Sequence, residues 1–523
     1  MAHPVLINGH WIPSNSSGTF HAVNPATCQP IEGEYPISSW AEIEAAIDAA
    51  AAAATIVRSW PGERFAAFLE RYAELIEGRA ADLIAIANAE TGLPVEPRLK
   101  VAELPRTTNQ LRQAAAAARE GSWAVPTIDT KNGIRSMFGP IGPVVVFGPN
   151  NFPFAFNGIA GGDFAAAVAA GNPVIAKGHS SHPNTTRLFA EVAQQAANET
   201  GMPNGFVQVI YRTSHADGCR LVSHRLIGAS GYTGARHTGL VLKEAADKAG
   251  KPIYLELSSI NPVVILPGAL NERADAIAAD FTTSCLMGTG QFCTNPGLVL
   301  LMTSPQTETF VATLTQKFGQ APVGTFLSEG VQKTFMSGIA AIRAAGAELL
   351  TGGTLGGGKG FSCGNTLLKV TGKNFLKNPA ALQTEAFGNG SLLVIAADAA
   401  ELVAILEHVE GNLTGSIYSD TNGSDDALYD SIAPTLRAHV GRLLNDKMPT
   451  GVAVSPAMNH GGPFPATGHP GFTAVGIPAS IHRFGMLLSY DNIRAHRLPP
   501  TLQDKNPCGC WRWIDGNPTQ ADL

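Results

Sequence analysis

Charged residues recur at helical intervals through an Ala-rich stretch from residue 40 to about 90, in AEIEAAIDAAAAAATIVRSW and ERFAAFLERYAELIEGRAADLIAIANAE. This spacing predicts two or three surface helices. Helix propensity and close packing account for the alanines without a special role. From Val144 the pattern changes to short apolar runs alternating with helical stretches, punctuated by Gly, Pro, Asn and Ser. Strands are predicted at Val144–Gly148, Pro173–Lys177, Phe206–Tyr211, Leu226–Ser230 and Pro252–Leu257, with helices between them at Gly158–Ala170, Asn184–Thr200, His215–His224 and Ala235–Ala249. Such alternation implies an α/β fold with a parallel sheet covered on both faces, in which ligands bind beyond the carboxyl ends of the strands. The expected architecture is a Rossmann-like dinucleotide-binding domain.

A second α/β stretch begins at Asn261 with PVVIL, continues with a helix from Ala274 to Met287 and a loop around Cys293, and resumes with a strand at Leu298–Met302. It predicts a catalytic domain over 258–452, distinct from a dinucleotide-binding domain over 1–120 and 138–257. The segments 121–137 and 453–523 are extended and, in the second case, Pro-rich, which suits an oligomerisation arm and C-terminal tail. No repeat of solenoid or propeller period interrupts this order.

Composition narrows the function. A chain of 523 residues exceeds what one core supports and suggests roughly three units with a cleft between them. The net charge of -6 is spread without a basic block, so nucleic acid is not an expected partner. No apolar run reaches the roughly 18–20 residues of a membrane span, and MAHPVLINGHW lacks the pattern of a secretory leader, so a cytoplasmic location is expected. Seven scattered cysteines do not form a disulfide framework. Cys508 and Cys510 have no matching Cys or His pair nearby and read as two tail thiols; no metal is expected.

Two glycine-rich segments need separate readings. GGTLGGGKG (352–360) nearly fits a phosphate-cradling loop through Gly353, Gly358 and Lys359, but Gly360 stands where a Ser or Thr would hold magnesium, so a mobile glycine hairpin is expected. Gly231-Tyr-Thr-Gly234, followed by Gly239, falls between a predicted strand and helix, where glycines let the backbone approach a dinucleotide phosphate.

The chemistry centres on Cys293, in the loop GQFCTNPG, where a thiol can stay accessible. Glu256 closes an apolar strand, a place where a carboxylate is costly unless paired or functional, and Asn151 opens the loop of GPNNFP. Aldehyde oxidation needs these three residue types. A thiolate adds to the carbonyl, an amide donates to the oxygen as it becomes negative, and a carboxylate deprotonates the water that releases the acyl group.

Along nearly its whole length the sequence resembles the aldehyde dehydrogenase superfamily: LINGHW (6–11), NPAT (24–27), ETG (90–92), GPNNFPF, VIAKGH, GYTGARHTG, LELSSINP, GQFCTNPG and EAFG (385–388) match in order. The resemblance implies Cys293 as nucleophile, Asn151 as oxyanion donor, Glu256 as base, Lys177 near the adenosine ribose, and Glu385 with Phe387 around the nicotinamide. Within the superfamily, LELSSINPV, GQFCTNPG and AMNHGGPFPAT (457–467) are similar to the branch of α-ketoglutaric semialdehyde dehydrogenases and NADP-linked fatty aldehyde dehydrogenases, whereas GHPGFTAVGIPASIHRFGMLLSY after Thr467 departs from it. α-Ketoglutaric semialdehyde is the expected substrate, with fatty or other aliphatic aldehydes as the alternative, and a homodimer or homotetramer is the expected assembly. A CoA-acylating enzyme, which has less use for Glu256, and an inactive structural homologue are the remaining readings. NAD-preferring relatives often carry a carboxylate three residues beyond the lysine. Here that position is Ser180, and Arg212 follows the next strand, so NADP is expected to be preferred with NAD still usable.

Overall fold

The computed structural model describes residues 2–16 and 18–523 and organises them on three large sheets. The first places Ile253–Glu256, Ala229–Thr233, Val144–Phe147, Val174–Lys177 and Val207–Ile210 side by side in parallel, and adds Val5–Ile7 and His10–Ile12 antiparallel at one edge. Runs such as VVVF and VQVI are apolar or buried at every position because helices cover both faces. Strand order reverses beside Val144–Phe147, so the chain leaving it and the chain leaving Ala229–Thr233 diverge to opposite faces and open a crevice at their carboxyl ends. Asn151 and Gly234 lie just beyond those ends.

Several boundaries move from their expected positions. The strand expected at Leu226–Ser230 is Ala229–Thr233, because Leu226 and Ile227 belong to the entering turn, closed by the Ile227 N–H on the His224 carbonyl. The helix expected from Gly158 begins at Gly162, since Asn157 holds the preceding residues in turns: its carbonyl accepts from Ala160 and Gly161, and its amide donates to the Pro153 carbonyl. The helix expected from Ala274 starts at Pro267 and bends at Arg273.

The second sheet runs Glu348–Thr351, Thr366–Thr371, Gly390–Ala396, Leu298–Met302, Val263–Ile265, Asn412–Tyr418 and Val440–Asn445, parallel except for its first pair. The glycine-rich segment 352–364 joins two of these strands, with no helix after it to present amides to a phosphate. It is not the loose hairpin expected: a Cβ on Gly360 would lie 1.8 Å from the Pro25 carbonyl oxygen, so the loop packs on the N-terminal segment.

The third sheet takes Gly485–Asp491, Ile134–Pro140, Thr127–Asp129, Arg512–Ile514 and Asn517–Thr519. The expected arm boundary at residue 137 therefore falls inside a strand. Residues 453–484 do not join this sheet. They return to the other two, where the Leu257 N–H donates to Ala466 and the Gly468 N–H to Leu255. Extended, Gly- and Pro-rich sequence reads alike in a projecting arm and in a coil crossing the core. No helix among the described residues is long and apolar enough to cross a membrane.

Candidate active site

Glu256 ends its strand 5% exposed, with its backbone carbonyl accepting from Gly234 at 3.1 Å. Its Oε1 lies 2.8 Å from Nε2 of His460, and the same Nε2 lies 3.4 Å from Cys293 Sγ. The three reactive atoms fall within 4.8 Å of one another. All three side chains are of metal-ligating types, but two ligands on a tetrahedral zinc stand about 3.3 Å apart by ordinary metal–ligand lengths. The 2.8 Å imidazole–carboxylate contact is that of a hydrogen bond. Sequence reading missed His460, which lies 204 positions from Glu256 in irregular chain. Its only signal is a lone His in the Gly- and Pro-rich stretch AMNHGGPFP. The site holds it by its own N–H on Thr473 Oγ1 at 2.7 Å and by the return of segment 453–484.

Electrostatics orders the protons. Burial pushes the Cys293 thiol up, the Glu256 carboxylate adds to this, and the Arg106 guanidinium offsets part of it. Burial is the largest single influence on Glu256 and acts to raise it, but His460, the hydrogen bond from Cys293 and the Arg483 charge together hold the carboxyl below its ordinary range. The resting site is thus a thiol hydrogen-bonded to an ionised carboxylate, with the His460 Nε2 donating to that carboxylate and standing beside the sulfur, so the carboxylate is the acceptor by which a proton can leave sulfur.

The Cys293 loop is fixed from both sides. Asn151, buried, donates from Nδ2 to the Gln291 carbonyl at 3.0 Å, which uses one of its two amide hydrogens and leaves one for an oxygen in the site. Asn261, at a left-handed φ of 47°, donates from Nδ2 to the carbonyls of Cys293 and Asn295 at 3.0 and 2.9 Å. Cys285 is a packing residue: it is fully buried, and burial pushes its thiol up to about 12.

The remaining expected site residues divide between the strand ends of the first sheet and the facing loop of the second. Lys177 ends its strand, and burial, aided by Arg212, lowers its amine to about 8. Lys177 pairs in register with Ile210, which brings the exposed Arg212 to the same edge, with the half-buried Ser180 in the loop beyond Lys177. Gly239 lies in the first turn of the helix Arg236–Lys248, where a Cβ would come 2.4 Å from Leu257 Cδ2; at Gly234 it would meet the Tyr232 hydroxyl at 2.8 Å. Across the cleft, Glu385 accepts from the Ser259 N–H at 3.2 Å and burial raises its carboxyl to about 7. Glu385 lines an open cleft with Arg236, Ser258 and Glu410, and Phe387 and Phe292 both line the adjoining one. Strand ends, a helix N-terminus at Arg236 and this cleft fit a dinucleotide.

Residues 11–438 match the model of the aldehyde dehydrogenase family. Over 519 residues the chain is 39% identical to α-ketoglutaric semialdehyde dehydrogenase 2 of Azospirillum brasilense, covering 96% of this chain and 97% of that one. It is 35% identical to the α-ketoglutaric semialdehyde dehydrogenase of Acinetobacter baylyi, covering 98% of each. The chain belongs to the aldehyde dehydrogenase family. Solved structures agree on the fold: a 1-pyrroline-5-carboxylate dehydrogenase from Thermus with bound NAD superposes with a TM-score of 0.81 at 24% identity, over 94% of this chain and 92% of that one. PnpE in complex with nicotinamide adenine dinucleotide gives 0.80 at 21%, over 94% and 99%. As a member of that family the protein is an oxidoreductase that acts on small-molecule aldehydes with a nicotinamide dinucleotide.

Proposed function

We propose that this aldehyde dehydrogenase oxidises α-ketoglutaric semialdehyde to 2-oxoglutarate at Cys293, with NADP preferred and NAD usable. The observation that carries the chemistry is the Cys293–His460–Glu256 relay, at 3.4 and 2.8 Å. Glu256, hydrogen-bonded to the thiol and to His460, takes the thiol proton as sulfur adds to the aldehyde carbon, and the free amide hydrogen of Asn151 donates to the oxygen of the resulting thiohemiacetal. A bound nicotinamide would supply the hydride acceptor. Once that proton has passed to solvent, Glu256 takes another from the water that attacks the Cys293 thioester, releasing the acid and the Cys293 sulfur. The ionised, buried Glu256 favours hydrolysis over acyl transfer to CoA.

The relatives of 39% and 35% identity, named for α-ketoglutaric semialdehyde, support the substrate. Lys177, Arg212 and the uncharged Ser180 support NADP, because a 2'-phosphate there meets two cations and no carboxylate. The third sheet, with Leu487 63% exposed on its edge strand, supports a homodimer or homotetramer. On this reading the first two sheets carry the dinucleotide-binding and catalytic domains, and the protein works in the cytoplasm. Steady-state kinetics on α-ketoglutaric semialdehyde, short and long aliphatic aldehydes and aromatic aldehydes, with both cofactors, tests it. The expected result is highest kcat/KM for the semialdehyde with NADP, and a selective loss with NADP in Arg212→Ala; a wild-type preference for long aliphatic aldehydes or for NAD overturns the corresponding part.

A further inference from the structure

Guanidinium groups next to the Cys293 loop are unequally neutralised. Arg98 lies over the rings of Phe152 and Phe292 at 4.2 and 4.9 Å, and its Nη2 stands 3.1 Å from the Glu103 carboxylate. Glu103 Oε1 also accepts the N–H groups of Phe154 and Ala155, at 2.8 and 3.0 Å. Arg106 has no carboxylate partner within ion-pair distance among the described residues. Its Nε donates to Gln110 Oε1 at 3.2 Å, and Gln110 is itself fixed by its amide on the Ala155 carbonyl at 3.0 Å. Its guanidinium faces Phe152 and Phe156 at 5.6 and 5.3 Å, and Nη2 is buried with no hydrogen-bond partner.

This arrangement is costly. A buried charged donor without a partner forfeits its hydration. The cost falls when an anion arrives. The aromatic rings below the guanidinium lead to the reacting atoms: Phe156 is 6.0 Å from the His460 ring and Phe152 is 5.5 Å from Phe292, the neighbour of Cys293. Burial acts most on Arg106; among charges Glu103 is felt first and Cys293 next, with Glu256 weaker, which is consistent with its facing the same space.

We propose that Arg106 binds a carboxylate at the far end of the aldehyde, with Phe152, Phe156 and Phe292 packing on the carbons between, so that the site selects aldehydes that carry a carboxylate. This rests on the reading of Cys293 as the residue that meets the aldehyde, and it adds the residue that chooses among aldehydes. A neutral alkyl chain in the same place leaves Nη2 without a partner, which disfavours fatty aldehydes.

Wild type, Arg106→Gln and Arg106→Lys are compared on succinic semialdehyde and α-ketoglutaric semialdehyde, against butanal and pentanal as neutral aldehydes of similar length. The ratio of kcat/KM for carboxylated over neutral aldehydes is expected to fall about 100-fold in Arg106→Gln, the scale of a lost charge-assisted pair, chiefly through KM, and to recover in part in Arg106→Lys. A ratio that stays at the wild-type value in Arg106→Gln, or a wild-type preference for butanal or for glyceraldehyde 3-phosphate, overturns the proposal. A second readout needs no turnover: glutarate should protect Cys293 of the wild type against iodoacetamide, protect Arg106→Lys in part and fail to protect Arg106→Gln. Equal protection in all three overturns the assignment of Arg106. Absence of oxidation of any aldehyde by a wild type that glutarate still protects counts against the catalytic reading and leaves the carboxylate site standing.

Discussion

Replacing His460 by Gln removes the group that links sulfur to carboxylate and keeps a side chain of similar reach. The size of the effect follows from the geometry. An imidazolium at 3.4 Å from a thiolate is worth about 5 kcal/mol at an effective dielectric of ~20. A glutamine N–H bonded to the same sulfur restores about 2 kcal/mol at most, so about 3 kcal/mol is lost, or roughly 100-fold in the population of thiolate. Burial and Glu256 already push the Cys293 thiol up, so the variant has no other group to compensate except Arg106. The assay is the rate of Cys293 alkylation by iodoacetamide as a function of pH, followed by mass and by loss of activity. The variant should alkylate about 100-fold more slowly near neutrality, and kcat/KM should fall at least as far. Alkylation at the wild-type rate with the wild-type pH profile would refute the relay.

Glu256→Gln should keep a rapid burst of reduced cofactor and lose steady turnover, seen by stopped-flow absorbance; loss of the burst as well would place Glu256 before hydride transfer. The Lys177 amine, lowered to about 8 by burial and Arg212, loses its charge as pH rises through that value in the free enzyme, so NADP affinity measured by fluorescence titration should weaken above about pH 8, and this inflection should disappear in Lys177→Met. Arg483 and Asp163 form a buried ion pair at 2.7 Å beside Tyr232 and Glu256. Arg483→Met strands the carboxylate and should cost about 3–5 kcal/mol in denaturant unfolding, most of it recovered by a second change, Asp163→Leu; a loss below about 1 kcal/mol would contradict the burial argument.

What the sequence disclosed follows from the range over which its signals act. Strand-to-helix alternation is local, so the parallel sheet and the positions of Lys177 and Glu256 at strand ends could be read directly, and Cys293 and Asn151 stood out by their loops and by family resemblance. Leu226 and Ile227 misled because a buried turn is as apolar as a strand. His460 and Arg106 were hidden for another reason. Each acquires its role only when chain more than 100 positions away is folded against it, and an isolated His in a coil or an Arg on a helix has an ordinary surface reading. The hint at His460 lay in the motif AMNHGGPFP, which carried the family likeness but no stated chemistry.

The central claim is that aldehyde carbon becomes bonded to Cys293 while the dinucleotide binds elsewhere on the same protein. Cys293→Ala tests it most directly, with reduced-nicotinamide formation on α-ketoglutaric semialdehyde measured beside dinucleotide binding in the same preparation. The account predicts no detectable oxidation and wild-type affinity for NADP. Substantial oxidation by the variant would contradict it and remove Cys293 from the mechanism.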